Sequence, residues 1–395
     1  MGENENPESR EIEFLRELIR IPSVTGEEQK IAGVIEEKFS SIGVKTVVEY
    51  VTPERPMVLG ILETSVPGPV LVYNGHMDTH SIDNYIGDPF QAEMKEGKLY
   101  GRGAVDMKGG LSAMICALER LKNTGGLKKG MLIVAAVPDE EQLSQGTTWM
   151  VEYLKRKKIK ADAGIVSEPT GLKIGYAMRG VSHIDIGVKG YPQHTSCQHN
   201  EGNAIIQMGK VLALYEKELT KRYARRKHPL LGTPVFNAGV IKGGEKPNVV
   251  AQDCVVTMLR RDLPGEILEE VLKELEEIAK LAVDPKCQVY VQESRIQQRP
   301  GKKKRLPMEV DENGKLVKVL KKSVFDATGK AAESGMVPFW CDASIMTNEG
   351  QIPTVVFGPG DINCAHSPEE WIDTWEYEKA IEIFVNFAKE YCNRL

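Results

Sequence analysis

No run of roughly 18 apolar residues, the length a membrane-spanning helix needs, occurs in the 395-residue chain. Nor is there a surplus of basic charge. Lysine and arginine number 51 against 56 aspartates and glutamates, a formal net charge of -5, which argues against nucleic acid or an anionic membrane as the main partner. The seven cysteines are odd in number, scattered, and form no CxxC pair, so free thiols in a reducing compartment fit better than a disulfide framework. No internal repeat or low-complexity tract stands out. The first ten residues, MGENENPESR, are polar and acidic rather than an export signal, so a cytoplasmic protein acting on a small molecule is expected.

With 41% hydrophobic residues the chain can bury a sizeable core, and its length argues for two domains. Residues 11–21 carry Ile12, Leu15, Leu18 and Ile19 at helical spacing and stop at Pro22. A second helix is expected behind Thr25 as N-cap, with Glu28 completing a capping box. The runs VKTVVEYV, MVLGIL, PVLVYNGH, GMLIVAAV and AGIVSEP read as strands interleaved with helical segments, an order that predicts an α/β fold with a largely parallel sheet. Beyond Gly180 the texture changes to alternating strands and two long amphipathic helices, as in a separate α+β insert. The expected organisation is a catalytic domain over 1–180 and 294–395, interrupted by a smaller domain over 181–293.

Five residues of metal-ligand type, His76, Asp106, Glu141, Glu168 and His366, lie just after or close to apolar runs, where strands of an α/β sheet end and distant side chains converge. In NGHMDTH, His76 and Asp78 are two apart on extended backbone and share a side, so Asp78 can accept the second imidazole N–H while the other nitrogen binds metal. Taken alone, an HxD is more often structural, and His80 reads as a solvated loop residue. Asp106, in YGRGAVDMKGG, stands at a helix entrance, where a cap and a metal-bridging carboxylate are alternatives. The glycines at 101, 103, 109 and 110 would allow backbone to approach the metals. In PDEEQ, adjacent glutamates diverge, which assigns Glu140 as general base and Glu141 as ligand, against the alternative of a charged surface turn. Carboxylates plus imidazoles suit two divalent ions, zinc in first place and cobalt or manganese as alternatives. Cys364 reads as a neighbour of the site.

The motifs GHMDTH, YGRGAVDMKGGLSAM, PDEE, SEPT, GVKG followed by His194, and AHSPEEW together resemble the di-zinc peptidase and deacylase family of acetylornithine deacetylase, succinyl-diaminopimelate desuccinylase, glutamate carboxypeptidase and aminoacylase. The resemblance spans nearly the whole chain and implies a catalytic domain interrupted by a lid that mediates homodimerisation. It implies that Asp106 bridges two zinc ions, with His76 and Glu168 on one and Glu141 and His366 on the other, and that Asp78 orients His76. The implied reaction is hydrolysis of an N-acyl amino acid, or of a short peptide in a dipeptidase or carboxypeptidase variant, by a hydroxide held between the ions and generated by Glu140. His194 from the partner's lid would hold the oxyanion, and Asn248 and Arg261 the substrate, with Arg260 a rival for Arg261 and His199 for His194. A cis peptide after Asp106 is also implied. The chain departs from the family pattern at Gln198, where a proline is usual, and at WCDAS (340–344). The basic stretches GKKKR and RYARRKH read as surface, and His183 and His228 as structural.

Overall fold

The computed structural model describes residues 9–191, 201–294 and 304–393. Two compact units make up the chain, one formed by Met1–Ala177, Met308–Val337 and Cys341–Leu395, the other by Met178–Pro307 with Pro338–Trp340. The class is α/β, with one large mixed sheet flanked by helices and a second, smaller α+β unit.

In the first unit the strands lie in the order Lys45–Thr52, Arg55–Glu63, Met131–Val137, Val70–His76, Ala163–Val166, Thr354–Val356, Ile174–Met178 and Met308–Glu309. The middle four, from Met131–Val137 to Thr354–Val356, are parallel. Their residues are buried almost without exception, which is why they read as unbroken apolar runs rather than alternating ones. Being parallel, they all end on one side, and His76 pairs in register with Val137 there. The helix Gly109–Thr124 packs on two of these strands and against Thr374–Asn393. Tyr73 ties sheet to helix, its hydroxyl donating to the Phe384 carbonyl at 2.7 Å.

The helix Arg10–Arg20 buries Ile12, Phe14, Leu15, Leu18 and Ile19, the face expected from its spacing, and Ser9 caps it by accepting from Ile12 N–H. The next helix starts later than expected, at Gln29 with no side-chain cap. Thr25 is drawn off by a better partner, donating its hydroxyl to Asp78 Oδ2 at 2.9 Å.

The second unit is a four-stranded antiparallel sheet, Val235–Gly243, Asp253–Asp262, Gly180–Lys189 and Gln288–Glu293 in that order, with the helices Ala204–Tyr223 and Leu268–Ala282. Alternate strand residues, among them Ile184, Ile186, Val188, Cys254, Val256 and Met258, join Tyr215 and Leu275 in its core. The unit runs on to Pro307, past Glu293, because Val181 and Arg305 pair backbone to backbone. Among the described residues the six cysteines are free thiols, and no helix is long and apolar enough to cross a membrane.

Candidate active site

Three of the parallel strands deliver the site. His76 is the last residue of Val70–His76, Glu140 and Glu141 follow Met131–Val137, and Glu168 follows Ala163–Val166. His366 comes ten residues after Thr354–Val356, beyond a short helical turn at Ile362–Cys364. Asp106 belongs to a tight turn ahead of Gly109–Thr124, and its backbone is extended, with φ −123° and ψ 95°. It is therefore no cap: the helix begins three residues later, and its carboxylate is turned to the histidines. The peptide bond between Asp106 and Met107 is cis.

Two groups of ligand-type side chains share Asp106: His76, Asp106 and Glu168, and Asp106, Glu141 and His366. Asp106 Oδ1 lies 3.1 Å from His76 Nε2, and Oδ2 lies 3.2 Å from His366 Nε2. Glu168 Oε1 is 3.7 Å from His76 Nε2, and Glu141 Oε1 is 3.0 Å from His366 Nε2. The first group is buried. The second is open on one side, where the His366 side chain is 44% exposed.

Asp78 does more than was expected of it, and by different atoms. The His76 Nδ1 lies 2.8 Å from the Asp78 main-chain oxygen and 3.6 Å from its carboxylate, so the carbonyl is the hydrogen-bond partner that fixes the tautomer and leaves Nε2 free for a metal. The carboxylate instead accepts the main-chain N–H groups of Glu140 (3.1 Å) and Glu141 (3.3 Å). It thereby holds both glutamates at the strand end. Asp139, just before them, sits at φ 76° and is pinned by Arg55 at 2.8 Å, which also pairs with buried Glu28.

The electrostatics fit cations. Burial pushes the carboxyls of Glu140 and Glu168 well above their usual range, with Glu168 adding to the first and Asp106 to the second. Burial also raises Asp78 and Asp342, each to about 6. For Asp106 burial acts upward too, but the hydrogen bonds of His366 and His76 outweigh it and hold the carboxylate low. Hydrogen bonds to Asp106 and Glu141 raise His366 to about 10, and His76 is raised as well, because burial, which opposes its charge, is outweighed by Asp106 and Glu168. So many buried carboxylates around two imidazoles constitute a hard-donor set that suits two divalent ions.

The remaining expected residues belong to the second unit or fall outside the described residues. His194 and its rival His199 fall outside the described residues. Asn248 is exposed in a turn of the second unit, and Arg261 is half-buried on the strand Asp253–Asp262. Arg260 is buried, bonded to Tyr223 Oη (3.0 Å), Asp262 and Glu266, which leaves it no freedom for a substrate. The four glycines of the Asp106 loop lie in close packing: a Cβ on Gly101 would meet Ile19, on Gly103 Thr79, on Gly109 Ile372, and on Gly110 the Ser167 carbonyl at 2.1 Å.

Three site neighbours escaped the sequence reading. His80 is exposed, as expected, but its ring stacks on His366 with centroids 4.2 Å apart. Asp342 is fully buried, accepts from Thr147 Oγ1 at 2.5 Å, and adds to the charge felt by Glu140. It lies in the WCDAS segment, whose departure from pattern was the only signal. Glu370 is buried behind Asp106 and accepts its N–H.

Comparison with known proteins agrees with this geometry. The model of the family described as peptidase family M20/M25/M40 matches residues 72–390. The chain is 28% identical over 398 residues to acetylornithine deacetylase of Klebsiella pneumoniae (strain 342), covering 96% of this chain and 97% of that one. It is 25% identical over 414 residues to a probable succinyl-diaminopimelate desuccinylase of Staphylococcus aureus (strain MSSA476), covering 97% and 98%. Among solved structures, the YXEP protein of Bacillus subtilis, described as a dinuclear metal binding peptidase from the M20 family, shares the fold with a TM-score of 0.73 at 16% identity over 96% of this chain and 97% of that one. The chain belongs to peptidase family M20/M25/M40, metallohydrolases that act on amide bonds.

Proposed function

We propose that the chain removes the acyl group from an N-acyl amino acid, using two divalent ions held by His76, Asp106 and Glu168 and by Asp106, Glu141 and His366. The observation that carries this is the pair of ligand groups sharing Asp106, with Glu140 beside Glu141 on the same loop. Zinc is the first expectation, with cobalt or manganese as alternatives. When bound, the ions would polarise the scissile carbonyl and lower the pKa of a water.

The chain's own residues supply the proton traffic. Glu140 takes a proton from the attacking water and passes it to the leaving amine nitrogen as the C–N bond breaks, which suits a carboxyl that burial makes more basic than usual. Asp78 holds Glu140 and Glu141 by their N–H groups and His76 by its Nδ1. His194 is assigned to the oxyanion, and Asn248 and Arg261 to the substrate carboxylate, on the strength of the motif match. A guanidinium suits a carboxylate because it can donate two parallel hydrogen bonds.

A homodimer through the second unit is part of the proposal. The edge strand Val235–Gly243 is exposed along nearly its whole length, with Val240 and Ile241 outward, and an unprotected edge invites pairing with another chain. Free thiols among the described cysteines fit a cytoplasmic setting.

A dipeptidase or carboxypeptidase with the same centre is the second reading, favoured by the peptidase among the structures of like fold. N-acetyl and N-succinyl amino acids are to be assayed against dipeptides with zinc or cobalt present. Acyl release without dipeptide cleavage is expected, and selective dipeptide cleavage would overturn the deacylase reading. Glu140→Gln should lower kcat by at least about a hundredfold while both ions remain bound, the scale of a lost general base. Unchanged turnover would remove Glu140 from the mechanism.

A further inference from the structure

A polar chain, buried at Glu370 and Arg102 and reaching the surface at Asn84, is used by none of the steps above and joins the loop of Asp106 to the loop of His366. Its centre is Glu370, fully buried, just ahead of the short strand Trp371–Asp373 that pairs with Lys98–Tyr100. Oε1 of Glu370 accepts the main-chain N–H groups of Val105 (3.0 Å) and Asp106 (3.1 Å). Oε2 accepts from Arg102 Nη1 at 2.8 Å. Arg102, itself buried, donates from Nη2 to Asn84 Oδ1 at 2.8 Å, and Asn84 Nδ2 donates to the main-chain oxygen of His366 at 2.9 Å. The circuit closes between side chains, where His366 Nε2 lies 3.2 Å from Asp106 Oδ2.

His366 needs holding. Its backbone is at φ 57°, in the left-handed region that non-glycine residues adopt only where their surroundings impose it. The restraint from Asn84 acts on that residue's own carbonyl. On the Asp106 side, one buried carboxylate uses one oxygen on the backbone of Asp106 and the other, through Arg102, toward His366. A charge-assisted pair with both oxygens engaged in a low-dielectric setting leaves little slack. His76 and Glu168 are fixed by their own strand ends instead.

We infer that Glu370, Arg102 and Asn84 are positioning residues that set the separation of Asp106 and His366, so that the group Asp106, Glu141 and His366 is formed as a metal site before any ion arrives. The inference rests on the di-metal reading above and adds to it which residues shape the second site.

The test is metal binding rather than turnover. Metal-free wild-type protein and Asn84→Ala are titrated with zinc by calorimetry and with cobalt by visible absorption. Asn84 is exposed, so its truncation should leave the fold intact. Wild type should bind two ions. Asn84→Ala should bind one with wild-type affinity and the other about ten- to a hundredfold more weakly, the usual effect of losing a partner behind a ligand. Asn84→Asp, which keeps the acceptor for Arg102 but has no amide to offer the His366 carbonyl, should behave the same way. Glu370→Gln should weaken that ion and, because it acts on Asp106, which both groups share, the other as well, and if it fails to fold, the Asn84 variants decide. Two ions at unchanged affinity in both Asn84 variants would overturn the brace, as would equal weakening of both ions in those variants. Fewer than two ions on wild-type protein would instead overturn the di-metal reading on which it stands.

Discussion

Arg260 and Arg261 are chain neighbours with opposite fates, because successive side chains on a strand point to opposite faces. Arg260 is 1% exposed and carries an ion cluster with Asp262 and Glu266, its ε nitrogen on Tyr223. Arg260→Ala would leave buried Asp262 and half-buried Glu266 without the guanidinium between them, at a cost of roughly 3 kcal/mol, the low end for a broken buried pair because Ser182 and Arg226 still reach the two carboxylates. Arg261, half-buried on the other face, has no such cluster among the described residues, and Arg261→Ala should change stability by no more than about 0.5 kcal/mol. If it holds substrate as proposed, its loss should raise KM with little effect on kcat, the mark of an interaction made equally in ground and transition states. Urea unfolding and steady-state kinetics on the two variants check both halves. A KM for Arg261→Ala equal to wild type would remove it from the substrate site. The pair also marks a limit of the sequence: RR names two candidates, and only strand phase separates the structural one from the available one.

At the scale of elements, the site depends on how closely the helix Gly109–Thr124 lies against the strand end that carries Glu168. A Cβ at Gly110 would stand 2.1 Å from the Ser167 carbonyl, a backbone atom that cannot swing away. Gly110→Ala must therefore shift helix or strand end, at a cost of about 1 to 3 kcal/mol for overpacking. Since Ser167 adjoins Glu168, affinity for one of the two metals should fall together with the melting temperature. Calorimetric melting and metal titration test this, and a variant with wild-type values of both would show that the contact is slack. The elements themselves were largely legible, because fully buried parallel strands must be continuous apolar runs and the ligands had to follow them. What joined those elements was not. Thr25 looked like a cap because its spacing to Glu28 is local, whereas its actual partner, Asp78, is 53 residues away. The glycines were legible as close approaches but not what they approach, and Arg102 with Glu370, 268 residues apart, leaves no periodic trace at all.

For the whole molecule, the buried carboxylates and raised histidines make metal loading a proton exchange. In the metal-free protein, hydrogen bonds to Asp106 and Glu141 hold His366 protonated up to about pH 10. His76, despite its burial, is likewise raised by Asp106 and Glu168. An imidazole must be neutral to bind a metal, so loading both sites at pH 7 should expel protons, that of His366 at the least. The sign follows: protons and ions compete for the same nitrogens, so affinity rises as pH climbs from neutrality toward 10 and falls as it drops. Glu168, raised by burial and Asp106, adds to the competition on the acid side. Titrating metal-free protein with zinc in two buffers of different ionisation heat measures the release directly. Heats that do not depend on the buffer would mean that the imidazoles are already neutral. Ions that bind only the folded chain also stabilise it, by about 2.7 kcal/mol per site when free metal is a hundred times Kd. Chelation should therefore lower the melting temperature, and it should do so more at pH 8 than at pH 6, because the stability that the metals confer shrinks as protons displace them.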